Sequence, residues 1–550
     1  MTASAFASER PIAVPAPADR IGRWNAEGHQ AAFDEPGIFE LLGRLHERLF
    51  IVQSEGAKLG LAAGGSLTSG TGPMAVVGVL PPIPPARLGD PGFRQAHGLD
   101  LNYVVGEMAG GISTTRMVIA AARAGMLSYF GAGGLAPATV EEAVRELSRE
   151  LPDRAWGVNL IHSPNEPGLE EAIASIVLRY GVQRISASAY MKLTPELVWC
   201  AASGLTMAPD GQVVRKTRVM AKVSRPEVAR AFLSPAPADL LQLLIEKGRL
   251  TPDEAALASR IPVADDLTVE ADSGGHTDNR PLTVAFPRIV ALRDQLVQRN
   301  DFRALVRVGA AGGLGTPQAI AAAFALGADY VLTGSVNQVA REAGISNRAK
   351  ALLLAADVSD VTMAPCADMF ELGVRVQVLK RGTMYAPRAR RLFELYSSRS
   401  SLDDLTAKER TELEERVLHA RLDDIWEETR QFWKSRDPRQ LERAASDPKH
   451  RMALIFRWYL GQSSQWTKQE DAKRQSDFQL GCGPAMGGFN QWIAGTALAD
   501  PARLTVTSIG RSLMTGAALM TRLNDARRLG FPVGAITQIV RPGMYGIPQE

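Results

Sequence analysis

Residues 306–338 read VRVGAAGGLGTPQAIAAAFALGADYVLTGSVNQ, and the fold class turns on this stretch. Val306 and Val308 flank Arg307 in a β-prone run that Gly312-Gly313-Leu314-Gly315 cannot continue. Thr316-Pro317 then starts a helix, with threonine as cap and proline at the first helical position. Residues 319–326 are apolar on nearly every side, Gly327 ends the helix, and Tyr330-Val331-Leu332 makes a second strand that opens into Gly334-Ser335. The unit reads as a largely buried strand-helix-strand. Glycines at its mouth let backbone N–H groups approach an anion, and the helix N-terminus adds its dipole, so two turns together can hold one phosphate. The same glycines could serve tight turns alone; two consecutive polar, glycine-bearing turns favour the phosphate.

Outward from this stretch the pattern repeats. Strands are expected at 103–105, 126–129, 155–159, 184–186, 218–222, 267–270, 306–308 and 330–332. Helical stretches fall between most of them, at 114–124, 139–149, 168–180, 195–202, 226–233, 287–300 and 317–326, with a further helical insertion at 237–259. Eight strands alternating with helices imply an α/β fold, a (β/α)8 TIM barrel, with its active site at the C-terminal strand ends. Before the barrel, residues 1–19 read as a mobile tail, 36–48 as a helix, 64–72 as a Gly/Ser/Thr loop and 80–85 as proline-rich, together an N-terminal cap. Beyond residue 399 the texture is helical without a convincing strand, charged over 403–432, aromatic-rich over 451–458 and mainly helical over 504–529. The expected division is 1–95 tail and cap, 96–398 barrel, and 399–550 helical subdomain facing the substrate or its carrier.

Composition excludes several classes. Lys+Arg 62 against Asp+Glu 59 leaves +3 over 550 residues, too weak a field to argue for nucleic acid or an anionic membrane. Cys200, Cys366 and Cys482 lie far apart with no CxxC spacing, which speaks against a disulfide framework, a zinc ribbon or a cysteine-ligated cluster. No run of about 18 apolar residues occurs, and the Pro/Ala-rich residues 11–17 lack the pattern of a leader, so a cytoplasmic protein is expected.

The strand ends carry the chemistry. After the first comes GEMAGGIST, 106–114, whose small residues let a flat ring approach the backbone while Met108 packs against it; an ordinary tight turn is the alternative. Asn159 in WGVNL ends the third strand and offers donor and acceptor, or closes the turn. Lys222 ends the fifth, either snorkelling to solvent or set against an anion. The loop after the sixth, EADSGGHTDNRP at 270–281, gathers acid, hydroxyl, glycine, imidazole, amide and guanidinium. His276 follows Gly274-Gly275 at a strand end, which favours a site role over a satisfied polar one. No second His or Cys stands at ligand spacing, so no metal site is expected, and GxSxG and Walker sequences are missing.

In order and spacing, GEMAGGIST, WGVNL, EADSGGHTDNRP, RVGAAGGLGTP and TGS resemble the flavin-dependent barrel family of nitronate monooxygenases and bacterial enoyl reductases. With ADMFELGVRVQVLKRGTMYAPRARRLFELY and GCGPAMGGFNQW added, residues 102–492 look like the PfaD-type, trans-acting enoyl reductases of polyketide and polyunsaturated fatty acid synthases. The resemblance implies a bound FMN, NADPH as hydride donor, and an α,β-unsaturated thioester on an acyl carrier protein of synthase modules. By position Gly312, Gly313, Gly334 and Ser335 would hold the FMN phosphate. Gly106, Met108, Ala109, Asn159 and Lys222 would line the isoalloxazine, with Gly274 and Gly275 beside the cofactor. As catalytic groups, Lys222 would stabilise charge on the reduced ring and His276 would hydrogen-bond the ring or the thioester carbonyl.

The chain departs from the pattern at Thr277-Asp278-Asn279, where a residue and then glycine usually follow the histidine, and at Gly481, where an aromatic is expected. The basic residues Lys380, Arg381, Arg388, Arg390 and Arg391 could meet an acidic carrier or the extra phosphate of NADPH, or form a solvated helical face. Cys482 reads as a packing residue; Met486, Phe489 and Trp492 read as a tunnel roof or as helical core. The alternatives are a nitronate monooxygenase-like flavin oxidase and a non-catalytic carrier-binding assembly factor; a homodimer is compatible with each.

Overall fold

The computed structural model describes residues 20–70, 72–164, 166–303, 305–533 and 540–543, so the expectation for residues 1–19 lies outside the described residues. By contacts the chain forms two units, Gly89–Gly510 and, separately, Met1–Leu88 with Arg511–Glu550. The division at residues 95 and 398 follows sequence texture, not contact density, and remains our proposal for which segments serve cofactor and carrier.

In the smaller unit, β1 (Gly22–Asn25), β2 (Ala31–Ala32), β3 (Leu49–Gln53), β4 (Leu59–Ala63), β5 (Ser66–Thr68) and β6 (Met74–Leu80) form one antiparallel sheet, ordered β2-β4-β3-β6-β1-β5. Trp24, Phe50, Val52, Ala62 and Val76 are its core. The helix expected over 36–48 is shorter, Glu35–Gly43, and the residues just past it enter β3. Every residue of β3 is buried, between β4 and β6. A strand buried on both faces has no alternation to announce it, which is why the sequence reading has a loop-rich cap here. Arg522, on the helix Val506–Arg528, is 1 % exposed. Its terminal nitrogens donate to the carbonyls of Leu42, Arg44, Leu45, Glu47 and Pro81 at 2.8–3.4 Å. Burial lowers its pKa to about 10, and the guanidinium fork ties the 42–47 segment to Pro81 through these carbonyls.

The larger unit contains the expected barrel. In chain order come β7 (Tyr103–Val105), β8 (Leu127–Phe130), β9 (Gly157–Ile161), β10 (Arg184–Ser188), a small hairpin of β11 (Thr206–Met207) and β12 (Val213–Val214), and β13 (Arg218–Val223). Next are β14 (Asp266–Glu270), the short β15 (Gly275–His276), β16 (Arg307–Ala311) and β17 (Val331–Thr333). Eight of these close as β10-β13-β14-β16-β17-β7-β8-β9. Every pairing in the closed sheet is parallel. Strand boundaries move by up to three residues, as at β16, where the ladder continues through Gly309-Ala310-Ala311, while the helix expected over 287–300 runs Leu282–Asn300 with Pro287 inside it. The expected insertion is two helices, Ala238–Glu246 and Pro252–Ala258.

The bottom of the barrel is closed by the helix Pro91–His97, capped by Asp90. Phe93 stacks on Tyr330 at 4.1 Å. At the strand starts Asp266 meets His97 at 2.8 Å and Arg307 at 2.6 Å. Burial raises the Asp266 pKa, but His97 and Arg307 outweigh it and hold the carboxyl down at about 2. This buried network lies at the end opposite the mouth, the end associated with stability in such barrels.

Past the barrel the structure adds what the sequence reading lacks. β18 (Val361–Pro365) and β19 (Arg375–Leu379) form an antiparallel hairpin, and β15 pairs with its edge. The region after it is helical as expected, including Tyr385–Ser398, Leu422–Arg436, Pro448–Gln469 and Ala485–Ile493. Among the described residues no helix is long and apolar enough to cross a membrane.

Candidate active site

The C-terminal strand ends converge on a cavity of about 470 Å³. Its lining includes Gly106, Met108 and Ala109 after β7, Asn159 on β9, Lys222 on β13, and Gly274-Gly275-His276 after β14. Gly312-Gly313 after β16 and Gly334-Ser335 after β17 complete the expected set. Every residue assigned from the sequence to the cofactor or to catalysis therefore lines one space.

On the floor the loop after β7 is folded back on itself: the Met108 N–H donates to Ser113 Oγ at 2.9 Å, and that hydroxyl donates to the Gly106 carbonyl at 3.2 Å. This tight return turns Glu107 inward, where it is 8 % exposed. Lys222 Nζ lies 3.0 Å from Glu107 and 3.3 Å from Glu270. Burial alone would lower the Lys222 pKa, but the two carboxylates outweigh it and raise it, so the ammonium stays charged. Lys222 is thus a buried, doubly paired cation and does not snorkel. Asn159 uses its amide hydrogens on Ser186 O at 3.1 Å and Ser188 Oγ at 2.8 Å, which leaves its carbonyl oxygen for a ligand.

His276 is held as part of a strand. Gly275 and His276 pair with Gln377 and Val376 of β19. Gln377 Nε2 in turn donates to Asp272 Oδ1 and to Ser273 O, both at 2.8 Å. The departure Thr277-Asp278-Asn279 is the clamp on this loop. Thr277 Oγ1 donates to Ala271 O at 3.0 Å, and Asn279 bridges Asp272 and Gln377 at 2.9 and 2.8 Å. Asp278 accepts two hydrogen bonds from Arg225, at 2.8 and 2.7 Å, and one from Ser224 at 2.6 Å. Arg225 is the main reason the Asp278 carboxyl sits at about 2.

The turn after β18 brings Cys366 and Asp368 to His276. Asp368 Oδ2 stands 3.3 Å from His276 Nε2, an ion-pair distance whose direction falls short of a hydrogen bond. Burial lowers the His276 pKa, Asp368 more than offsets it, and the net direction is upward. The donor atoms of His276, Cys366 and Asp368 lie within 4.8 Å of one another, so the fold assembles a nitrogen-sulfur-oxygen set that sequence spacing does not show.

Opposite lies the phosphate side. Thr316 caps the helix Pro317–Ala325 by accepting the Ala319 N–H at 3.2 Å. A Cβ at Gly313 or Gly334 would meet no protein atom within 4 Å, so both glycines face open space. An open backbone cradle, a helix N-terminus and small residues on the floor fit a flavin mononucleotide. The GCG segment straps this side down. The Gly483 N–H donates to Ser335 Oγ at 3.1 Å, Gln338 Nε2 donates to Gly481 O at 2.5 Å, and a Cβ at Gly274 would lie 2.8 Å from the Cys482 backbone. An aromatic is replaced here by backbone-to-backbone packing. Burial pushes the Cys482 thiol up to about 12, in keeping with a packing role. Met486, Phe489 and Trp492 are buried and do not line the cavity, so the helical-core alternative holds for them.

Most of the basic cluster is engaged internally. Arg381 pairs with Asp360 at 3.2 Å, Arg388 with Asp477, Arg390 with Thr362 and Met363, and Arg391 with Glu412 at 3.3 Å.

Residues 99–383, just over half of the chain, match the nitronate monooxygenase family model. The chain belongs to the nitronate monooxygenase family. It is an oxidoreductase family, and the expected PfaD-type branch accounts for the relatives. Residues 399–478 of this family member also match the inserted helical domain of acyl-carrier-protein S-malonyltransferase. A polyunsaturated fatty acid synthase polypeptide of Thraustochytrium is 44 % identical over 457 residues, 82 % of this chain and 30 % of that protein. The polyketide biosynthesis protein PksE of Bacillus subtilis is 43 % identical over 434 residues, 79 % of this chain and 56 % of that protein. The chain thus spans well under two thirds of either relative. Among solved structures, the enoyl reductase domain of MlnA from the macrolactin cluster of Bacillus amyloliquefaciens superposes with a TM-score of 0.76 at 36 % identity, covering 80 % of this chain and all of that one.

Sequence reasoning missed several groups of this nitronate monooxygenase family site. Glu107 stands inside GEMAGGIST, where glycines and methionine drew the reading, and Glu270 opens the polar loop without a role. Asp368 and Cys366 precede or open a quoted motif, and only the β15–β19 pairing reveals that they belong beside His276.

Proposed function

We propose that this chain is an FMN-dependent enoyl reductase acting in trans on α,β-unsaturated acyl thioesters of an acyl carrier protein, with NADPH as hydride donor, in polyketide or polyunsaturated fatty acid biosynthesis. The observation that carries it is the one cavity that joins an open phosphate cradle at Gly313 and Gly334 to a charged floor and a histidine. The relatives' names, the MlnA domain and the carrier-transferase helical segment support the same reading.

Bound FMN supplies a hydride acceptor and donor. The turns after β16 and β17 bind its phosphate, and the folded loop after β7 gives its ring a floor of small residues. Lys222 presents N–H donors whose direction is fixed by two carboxylates. With both ionised, the trio carries one net negative charge, so its contribution is orientation more than positive potential. His276, whose pKa Asp368 raises, is placed to donate toward the thioester carbonyl as negative charge develops there.

The test is NADPH consumption with a carrier-bound enoyl thioester, compared with a nitroalkane under oxygen. Thioester-dependent consumption is expected; consumption driven by nitroalkane alone would overturn the reading. Gly334→Asp, whose side chain enters open space, should weaken FMN binding about 100-fold or more through charge repulsion while the unloaded protein melts within a few degrees of wild type.

A further inference from the structure

Among the described residues, the charged side chains lining the cavity are matched with one exception. Lys222 has Glu107 and Glu270, His276 has Asp368, and Glu166 has Arg436. Lys468 has no such partner. It stands in the last turn of the helix Pro448–Gln469, half-buried, and its Nζ donates to the carbonyl of Gly110 at 2.9 Å. Burial lowers its pKa and no carboxylate offsets the effect. Gly461, Ser464, Gln465 and Gln479 also line the cavity from this roof, so the lysine's surroundings are neutral and polar. A half-buried cation without a counter-charge costs stability unless something anionic completes it.

The position sets which anion. The Gly110 N–H bonds Gly133 O at 2.7 Å and the Gly111 N–H bonds Gly131 O at 2.9 Å, so this loop leans toward β8. The phosphate turns follow β16 and β17, on the other side of β7 in the barrel order. The Lys468 ammonium is bonded to the Gly110 carbonyl, whereas the adjacent Thr467 carbonyl accepts the Ser346 N–H at 3.1 Å from the segment after β17.

We propose that Lys468 reads a phosphate on the reactant entering the cavity. Resting on the reductase reading, that phosphate belongs either to the pantetheine arm of the carrier or to the 2′ position of the nicotinamide nucleotide. Both are the same chemistry, a phosphate ester meeting a lysine ammonium and neutral hydrogen-bonding side chains. A lysine that served only the helix C-terminus would be indifferent to phosphate on any ligand.

The experiment titrates the full chain, loaded with oxidised FMN, with 4′-phosphopantetheine, pantetheine, NADP+ and NAD+, none of which can reduce the flavin, for wild type, Lys468→Gln and Lys468→Arg. The glutamine variant should lose about 10- to 100-fold in affinity for one phosphate-bearing probe, the range of a charge-assisted hydrogen bond, and stay within about twofold for its phosphate-free counterpart. The arginine variant should keep most of the discrimination. Loss confined to phosphopantetheine assigns the carrier arm; loss confined to NADP+ assigns the nucleotide. Equal change in both members of each pair, no change in either, or no phosphate preference in wild type would overturn the proposal. Binding is read apart from chemistry, so a chain that discriminates phosphate yet reduces no enoyl thioester would sink the reductase reading and leave this assignment standing.

Discussion

Lys222 and Lys468 line the same cavity, yet Lys222 stands between two carboxylates at 3.0 and 3.3 Å whereas Lys468 has only a backbone carbonyl at 2.9 Å. The first is finished before any ligand arrives: its charge is fixed and its donors are aimed. The second is completed only by what enters. In an enclosed site that distinction separates a group that shapes the floor from a group that selects the visitor, because uncompensated charge near low dielectric interacts most strongly with an incoming counter-charge.

The largest effect should come from breaking the finished side. Lys222→Met leaves Glu107 and Glu270 facing each other without their cation, and removing one member of a buried pair costs roughly 3–5 kcal/mol. Thermal unfolding should drop sharply, and Lys222→Met with Glu107→Gln should regain part of the loss. An unchanged melting temperature in the single variant would show that the three groups are not coupled.

The next effect extends the comparison to His276. Its pKa is raised with Asp368 beside it, so the pair's stabilisation is full below the ordinary histidine value and is lost as pH rises through the raised one. Asp368→Asn should move the alkaline limb of the kcat/KM profile to lower pH, so that the rate measured on that limb falls about tenfold for every pH step the limb moves. A limb that stays in place would remove His276 as the titrating donor.

The smallest effect belongs to the clamp. Asp278→Ala frees Arg225 and Ser224 at a partly exposed site, where solvent screening holds the cost to about 1 kcal/mol. The Asp278 carboxyl sits at about 2 against an ordinary 3.8, so its contribution is present above the ordinary value and fades as pH falls toward about 2. Acid unfolding of the variant should accordingly lose this component, and equal acid midpoints in both proteins would contradict the clamp.

The barrel was legible because each strand is a short β-prone run ending in glycine or a polar residue, and because parallel strands alternate with amphipathic helices. Its strand-end residues were legible for the same reason: topology sends them all to one face. The six-stranded sheet was not, since LFIVQ in β3 owes its structure to β4 and β6 on either side, partners that local pattern does not name. Lys468 illustrates the limit for the site. It sits 358 residues from its Gly110 partner, beyond the aromatic-rich run 451–458 and outside every stretch the sequence singled out for a site. Asp368 likewise reaches His276 only because β19 pairs with β15. What sequence missed are the side chains whose meaning depends on a charge arriving from elsewhere in the chain.

The most direct measurement is an anaerobic visible spectrum of the FMN-reconstituted protein, titrated with NADPH and then with an enoyl thioester on a phosphopantetheine arm. The expected result is a flavin band that NADPH bleaches and the thioester restores without oxygen. A band restored only when oxygen is admitted, or no flavin retained after reconstitution, would overturn the reductase reading.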